Sequence, residues 1–268
     1  MIPSNITLYA SEIAACIGLN KYKSVEEMTK KVWCRYDPEG YRKASLRNDT
    51  TEPEPIENIL QDLKLTEKVL KFVDHKNPNE MFGDIDNLSK LHKTELDAND
   101  ISAADLASYI HTERGKAHED ISLERLQTAL NVDIVKRNDK FYKRYIEYGP
   151  NKQYVIGGKV DGITADGYLV EVKNRQYRLF KEIPIYEKVQ IHVYMFLTGI
   201  PECKFVQSFA GEDSSTDVEF DYTFWEMIKT KCNVFVRNVS LLASDEELQD
   251  IFLSTGNLSI TDEDDVEK

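Results

Sequence analysis

Apolar positions in this chain follow two periods. In the first half they recur every three to four residues, and from about residue 139 they alternate one by one. Residues 6–20 read as a short lead-in and a small-residue helix that starts near Ser11, a residue able to cap its free N–H groups, and ends at Gly18. Val25, Met28 and Val32 mark a second amphipathic helix. Residues 37–55, rich in Pro, Asp, Glu, Asn and Arg, read as a loop. Helical spacing returns over 56–73 through Ile56, Ile59, Leu60 and Leu63, and the mostly polar 74–100 reads as an irregular insertion. A long helix over 101–130, interrupted near Gly115, would bury Leu106, Ile110, Ile121, Leu123, Leu126 and Leu130.

The alternating half predicts strands at about 139–148, 153–164 and 167–174, separated by the turn signals Gly149-Pro150-Asn151 and Ala165-Asp166-Gly167. A helix over 182–198, strands at about 203–210 and 217–221, and a helix over 222–242 follow. This order predicts one α/β (α+β) domain over 1–243, with a central mixed sheet flanked by helices. Residues 244–268 form an acidic tail whose end lacks core formers and reads as disordered.

Composition is that of an ordinary water-soluble globular chain, with 41% hydrophobic and 30% charged residues over 268 positions. Neither a signal-peptide pattern nor an apolar run of membrane-spanning length is present, so the expectation is an intracellular, non-secreted protein. Cys16, Cys34, Cys203 and Cys232 form no CxxC pair and read as reduced core residues rather than a zinc or iron–sulfur site.

The net charge of −13 argues against a nucleic-acid partner until its distribution is considered. Residues 244–268 hold nine acidic groups against Lys268, a local −8 that leaves −5 elsewhere. Residues 136–181 hold eleven basic against five acidic groups, a local +6. Removing the tail at about 244 is therefore expected to tighten non-specific nucleic-acid binding at low salt.

That basic block surrounds "GGKVDGITADGYLVEVKNR", residues 157–175. On a strand, Leu169, Glu171 and Lys173 share one face, while Val170 and Val172 turn to the other. A tight turn at 165–167 brings Asp161 alongside Glu171. Two carboxylates with a backbone carbonyl form the oxygen shell that Mg²⁺ or Mn²⁺ prefers. A lysine two residues on could stabilise charge on a phosphate oxygen. The plainer alternative is a surface salt bridge worth about 0–1 kcal/mol.

"GKVDG" and "YLVEVKNR" resemble the PD-(D/E)XK nuclease superfamily, with Asp161 as the motif aspartate, Glu171-Val172-Lys173 as the (D/E)XK element and Val160 in place of the proline. "ITLYASEIAACIGLNKYKS" resembles the N-terminal segment of the lambda exonuclease/YqaJ-like viral recombinase (alkaline exonuclease) family, with Ser11 at the serine position. "RGKAHE", ending at Glu119, resembles that family's Gly-x-x-x-Glu helix, and "VQIHVYM" resembles the helix after its catalytic strand, with Gln190 at the active-site glutamine.

The resemblance implies a restriction-endonuclease-like αβββαβ core and a Mg²⁺-dependent deoxyribonuclease, an exonuclease on duplex ends in viral or phage recombination or replication. It implies that Glu119, Asp161, Glu171 and the Val172 carbonyl hold the metal. Lys173 and Gln190 join Asp161 and Glu171 as catalytic residues, and Ser11, Lys159, Arg175 and Arg178 contact nucleic acid. Expected partners are DNA and a single-strand annealing recombinase, with ring oligomers as in some relatives and no membrane. Two departures stand out: no Arg or Lys precedes Ser11, and Lys159 occupies the place of a second family serine. A structure-specific endonuclease, an RNA-cleaving relative and a non-enzymatic nucleic-acid-binding module are the alternatives. His118 and His192 have no partner at metal-ligand spacing and read as structural, and Gln190 and Tyr194 are spaced to pair on one helix face.

Overall fold

The alternating half of the chain folds into two sheets rather than one. The computed structural model describes residues 5–50, 55–72, 78–99, 101–130, 134–137, 140–209 and 212–258, with side chains except at 78–82, 116, 118–126, 128–130 and 135–137. The chain enters through β1 (Thr7–Tyr9) and helices α1 (Ala10–Cys16), α2 (Val25–Tyr36) and α3 (Pro38–Arg47). Helices α4 (Ile56–Asp62), α5 (Thr66–Leu70), α6 (Pro78–Leu91), α7 (Lys93–Asp97) and the long α8 (Ala103–Leu130) follow. Then come β2 (Ile134–Arg137), β3 (Phe141–Gly149), β4 (Lys152–Lys159), β5 (Gly162–Thr164), β6 (Leu169–Asn174), α9 (Ile185–Thr198), β7 (Glu202–Phe209), β8 (Glu212–Glu219), α10 (Tyr222–Ser244) and α11 (Glu246–Thr255).

One sheet has the order β1-β4-β3 and the other β2-β5-β6-β7-β8. The strand expected over 153–164 breaks at Val160-Asp161, so β4 belongs to the first sheet and β5 to the second. Strands β5 and β6 form the expected hairpin, with Gly162 opposite Val170 and Gly167 in the left-handed region at φ 94°. Strands β6 and β7 run parallel, joined through α9. The strand expected at 217–221 lies instead at 212–219, as the exposed edge β8. Its polar sequence hides it from a hydrophobic reading but suits an edge.

Adjacent Gly157 and Gly158 on β4 let neighbours approach the bare backbone. A Cβ at Gly158 would lie 2.8 Å from the Tyr194 ring on α9 and 3.0 Å from the Ala10 Cβ on α1. The main core gathers around Leu8, Ile13, Trp33, Tyr154, Phe205 and Phe252. Helices α1 and α2 are tied by buried Glu12, which accepts from Arg35 Nη2 and ion-pairs Lys31, each at 2.9 Å. Three cysteines are buried and Cys34 is half-buried, and all four are free thiols.

Several sequence expectations need correction. Residues 38–47 form α3, not a loop: the Asp37 side chain accepts from the Gly40 N–H, and Pro38 stands in the first turn. The pattern over 56–73 is two short helices that part at Lys64, φ 58°. The segment read as an irregular insertion carries α6 and α7. With α4, α5 and the start of α8 these build a second core from Ile59, Leu60, Val69, Ile85, Leu88, Leu96, Leu106 and Ile110. Helix α8 runs through Gly115 without a break, since a single glycine costs about 1 kcal/mol and does not end a helix. The segment assigned to the tail begins with α11, which buries Gln249 and Phe252; residues 259–268, where disorder was expected, lie outside the described residues. No described helix is long and apolar enough to cross a membrane.

Candidate active site

The break between the sheets positions the first site residue. Asp161 sits between β4 and β5, and its Oδ2 accepts the Val172 N–H at 2.8 Å. That bond pins Asp161 to β6, the strand that carries Glu171 and Lys173. Val172, whose carbonyl is the expected metal donor, serves Asp161 with its amide. Val170 and Val172 turn to the opposite face and pack with Ile134 and Val206, as the alternation predicts.

Glu171 is 2% exposed, and its Oε2 makes no hydrogen bond. Its other oxygen accepts from Lys173 Nζ at 2.6 Å. Lys173 also donates to Gln190 Oε1 at 3.1 Å, and Gln190 Nε2 donates to the Tyr194 hydroxyl at 3.1 Å. Burial, aided by the charge of Asp161 and opposed by Lys173, pushes the Glu171 carboxyl up to about 8. Burial works against the Lys173 ammonium as well, but Glu171 and Asp161 outweigh it and hold the lysine cationic above its ordinary range. The Lys173–Glu171 pair, with Glu171 2% exposed, is therefore not the surface salt bridge of the plainer reading.

A buried carboxyl oxygen with no donor beside it, next to a second carboxyl, calls for an explanation, and a bound ion is one. Facing carboxylates are the hard oxygen donors that a Mg²⁺-type cation takes. Asp161 and Glu171 are the described residues that fit it. No group of three His, Cys, Asp or Glu side chains gathers among the described residues. The expected third ligand, Glu119, stands on α8, which packs against β6, and its side chain lies outside the described residues, as does that of His118.

The expected nucleic-acid contacts are scattered. Ser11 is exposed on α1; Tyr9, not Ser11, holds the N-cap position, with no side-chain cap. Lys159 is exposed at the end of β4, paired with Phe141 across the strands. Arg178 is exposed on the segment after β6. Arg175 departs from expectation. Its side chain is only 8% exposed, the guanidinium gripping Glu187 through two bonds of 2.6 and 2.7 Å, while Nε donates to Gln207 Oε1 at 2.7 Å. Its plane also lies 4.2 Å from the Phe180 ring centroid. Arg175 is thus a staple that holds the chain leaving β6, not an open phosphate contact.

Glu187 and Gln207 had not been singled out. Gln207 also accepts the Phe180 N–H and donates to the Phe180 carbonyl, fixing residues 175–180. The signal was present: Glu187, Gln190 and Tyr194 form one polar stripe on a helix rich in apolar residues, and Gln207 interrupts an apolar run of β7 opposite Lys173. His192 is structural as expected. Its Nδ1 meets the Lys188 carbonyl at 2.8 Å and its Nε2 accepts the Asp221 N–H at 3.2 Å.

No family model and no curated protein matches the sequence. Solved structures do match the fold. An alkaline exonuclease from Laribacter hongkongensis, LHK-Exo, aligns over 93% of this chain and 96% of its own, with a TM-score of 0.50 and 13% identity. A structure of LHK-Exo in complex with dAMP aligns over 88% and 89%, with a TM-score of 0.49 and 14% identity. The chain is a mixed α/β protein with a fold similar to that alkaline exonuclease.

Proposed function

We propose that this chain is a divalent-cation-dependent deoxyribonuclease of the PD-(D/E)XK kind, working as an exonuclease on duplex DNA ends. The observation that carries the reading is the placement of Asp161 and Glu171 at adjoining strands, with a buried, partnerless Glu171 oxygen and with Lys173 held between Glu171 and Gln190. The likeness in fold to an alkaline exonuclease supports it. The protein's residues divide the work. Asp161 and Glu171, with Glu119 as a third donor from α8, hold the cation, Mg²⁺ or Mn²⁺. When bound, such a cation supplies Lewis acidity toward a phosphodiester oxygen. Lys173 presents its ammonium to the negative charge that grows on the phosphate. Gln190, itself fixed by Tyr194, sets the direction of that ammonium. Arg178, with Ser11 and Lys159, meets the DNA backbone. A single-strand annealing recombinase as partner in viral or phage-type recombination, and a ring oligomer, belong to the same reading; co-elution and sedimentation test them.

The deciding experiment is digestion of end-labelled linear duplexes, with and without a 5′-phosphate, beside covalently closed circles, in Mg²⁺ and in EDTA. The expected result is Mg²⁺-dependent loss of linear DNA, intact circles, and no digestion by Asp161→Ala or Lys173→Ala. Digestion by both variants at the parent's rate overturns the mechanism. Cutting of closed circles assigns an endonuclease instead.

A further inference from the structure

A cleft of about 620 Å³ opens at Asn174, one residue beyond Lys173. One wall is the start of α8, where Ala104 and Ala107 leave the room. The other is the segment after β6, with Tyr177, Arg178 and Phe180, and Tyr22 contributes from the α1–α2 connection. Its volume falls within the range of roughly 300–1,000 Å³ that holds small organic groups.

The chemistry of this cleft departs from that of the chain as a whole. Forty-seven acidic residues give the protein its −13 charge, yet no Asp or Glu among the described residues lines the cleft. Tyr22 and Tyr177 are 67% and 69% exposed, so large aromatic faces stand in solvent at its mouth. Lys21 Nζ lies 4.8 Å from the Tyr22 ring centroid, and exposed Arg178 adds a second cation. Exposed rings interleaved with cations, beside a helix wall of Ala104, Ala107, Ser108, His111 and Thr112, suit flat aromatic groups carried on a polyanion. Tyr22 also meets the Tyr186 ring edge-on, 5.7 Å between centroids, and still presents most of its surface to solvent; a partner with an acidic, non-aromatic surface would not use these rings.

We propose that the cleft takes unpaired nucleobases of a single DNA strand and stacks them on Tyr177 and Tyr22, with Arg178 on the adjoining phosphate. The inference rests on the nuclease reading for its substrate, and it adds what happens next to the cation site. Unpaired bases next to that site are held in the cleft. Residues 175–180 carry this wall, and the Arg175–Glu187–Gln207 network gives it a fixed shape.

The test measures binding without cleavage. Full-length protein in EDTA is titrated against a fluorescein-labelled oligothymidylate and, in parallel, against a blunt duplex of equal length, by anisotropy. Tyr177→Ala and Tyr22→Ala are each expected to weaken single-strand binding by about fivefold or more. Tyr→Phe at either position should retain the parent's affinity. Arg178→Ala should make the fall of log affinity with log salt shallower by about 0.7. Both tyrosines are exposed, and unchanged urea midpoints would show that the variants fold. Parent-like single-strand affinity in both alanine variants overturns the proposal, and so does an equal loss for the blunt duplex. Because no cation is present, a failure of the nuclease reading would appear in the digestion assay and leave this measurement intact.

Discussion

Arg175 and Glu187 join β6 to the helix that follows it through two parallel charge-assisted bonds, their side chains only 8% and 5% exposed. The pair lies two residues beyond Lys173 on one side and three before Gln190 on the other, so it fixes the spacing between the lysine and the amide that orients it. Removing one partner of a buried pair strands the other charge, at a cost of about 3–5 kcal/mol. Glu187→Ala is expected to lose that much in urea unfolding. Arg175→Met with Glu187→Leu should recover most of the loss. Additive losses in the double variant would show that the two residues do not act as a pair.

Gln190 touches Lys173 rather than any carboxylate. Gln190→Ala is therefore expected to lower kcat for duplex digestion by about 10- to 100-fold, the usual cost of losing an outer partner, with KM for DNA nearly unchanged. Tyr194→Phe, which removes the hydroxyl that accepts from Gln190, should shift kcat in the same direction by less. A change confined to KM would place Gln190 in DNA binding instead.

Glu12 offers a pH-dependent test of stability. Burial works to raise its carboxyl, but hydrogen bonds and charge from Arg35 and Lys31 outweigh it, leaving it below the ordinary glutamate value of 4.5. A carboxyl depressed in the folded state is bound to more protons in the unfolded chain, so its stabilisation is full above the unfolded value and fades as pH falls through the folded one. The parent's advantage over Glu12→Gln in urea should be largest near neutral pH and shrink steadily below about pH 4.5. An advantage that stays constant down to about pH 3 would rule out the ion pair as its source.

Gly158 has no room for a side chain, because a Cβ there would crowd Tyr194 and Ala10. Gly158→Ala is expected to destabilise the protein by about 1–3 kcal/mol. It should also lower nuclease activity more than that loss explains, since the ring it displaces supports Gln190. Thermal melts beside digestion rates at a temperature where the variant is fully folded would separate the two effects.

The basis for a tail truncation also changes. Cutting at about residue 244 was expected to tighten DNA binding, but α11 places Phe252 in the main core and lets Gln249 Nε2 donate to the Leu242 carbonyl. That cut should destabilise the fold by about 3–5 kcal/mol, as for loss of a buried Phe. A cut after Leu258 should leave the urea midpoint where it was. Only the second protein is suited to testing whether the remaining acidic residues compete with DNA.

The strands around the site were legible because alternation and two turn signals determine both their faces and their pairing. Glu171 and Lys173 came out on one face, with Val170 and Val172 on the other. The break at Val160-Asp161 was not legible, since the tie from Asp161 to the Val172 amide is a long-range bond that no local period encodes. Arg175 was misread for a similar reason. Its charge suggested phosphate, while its partners Glu187 and Gln207 come from two other elements. The missed helix α3 is a different case: Asp37-Pro38 is a strong local start signal that a composition-based reading of the segment overrode. The second core was hidden because its apolar residues are sparse and meet only when five helices assemble.

Helix α8 is one uninterrupted rod of 28 residues, about 42 Å from end to end. Its opening turns are embedded in the satellite core through Leu106 and Ile110, and its flank bears on β6. A rod clamped at both places transmits a tilt at one as a displacement at the other. Whatever loads or loosens helices α4 to α7 is therefore expected to be felt at β6, without any change in the residues that surround the two carboxylates.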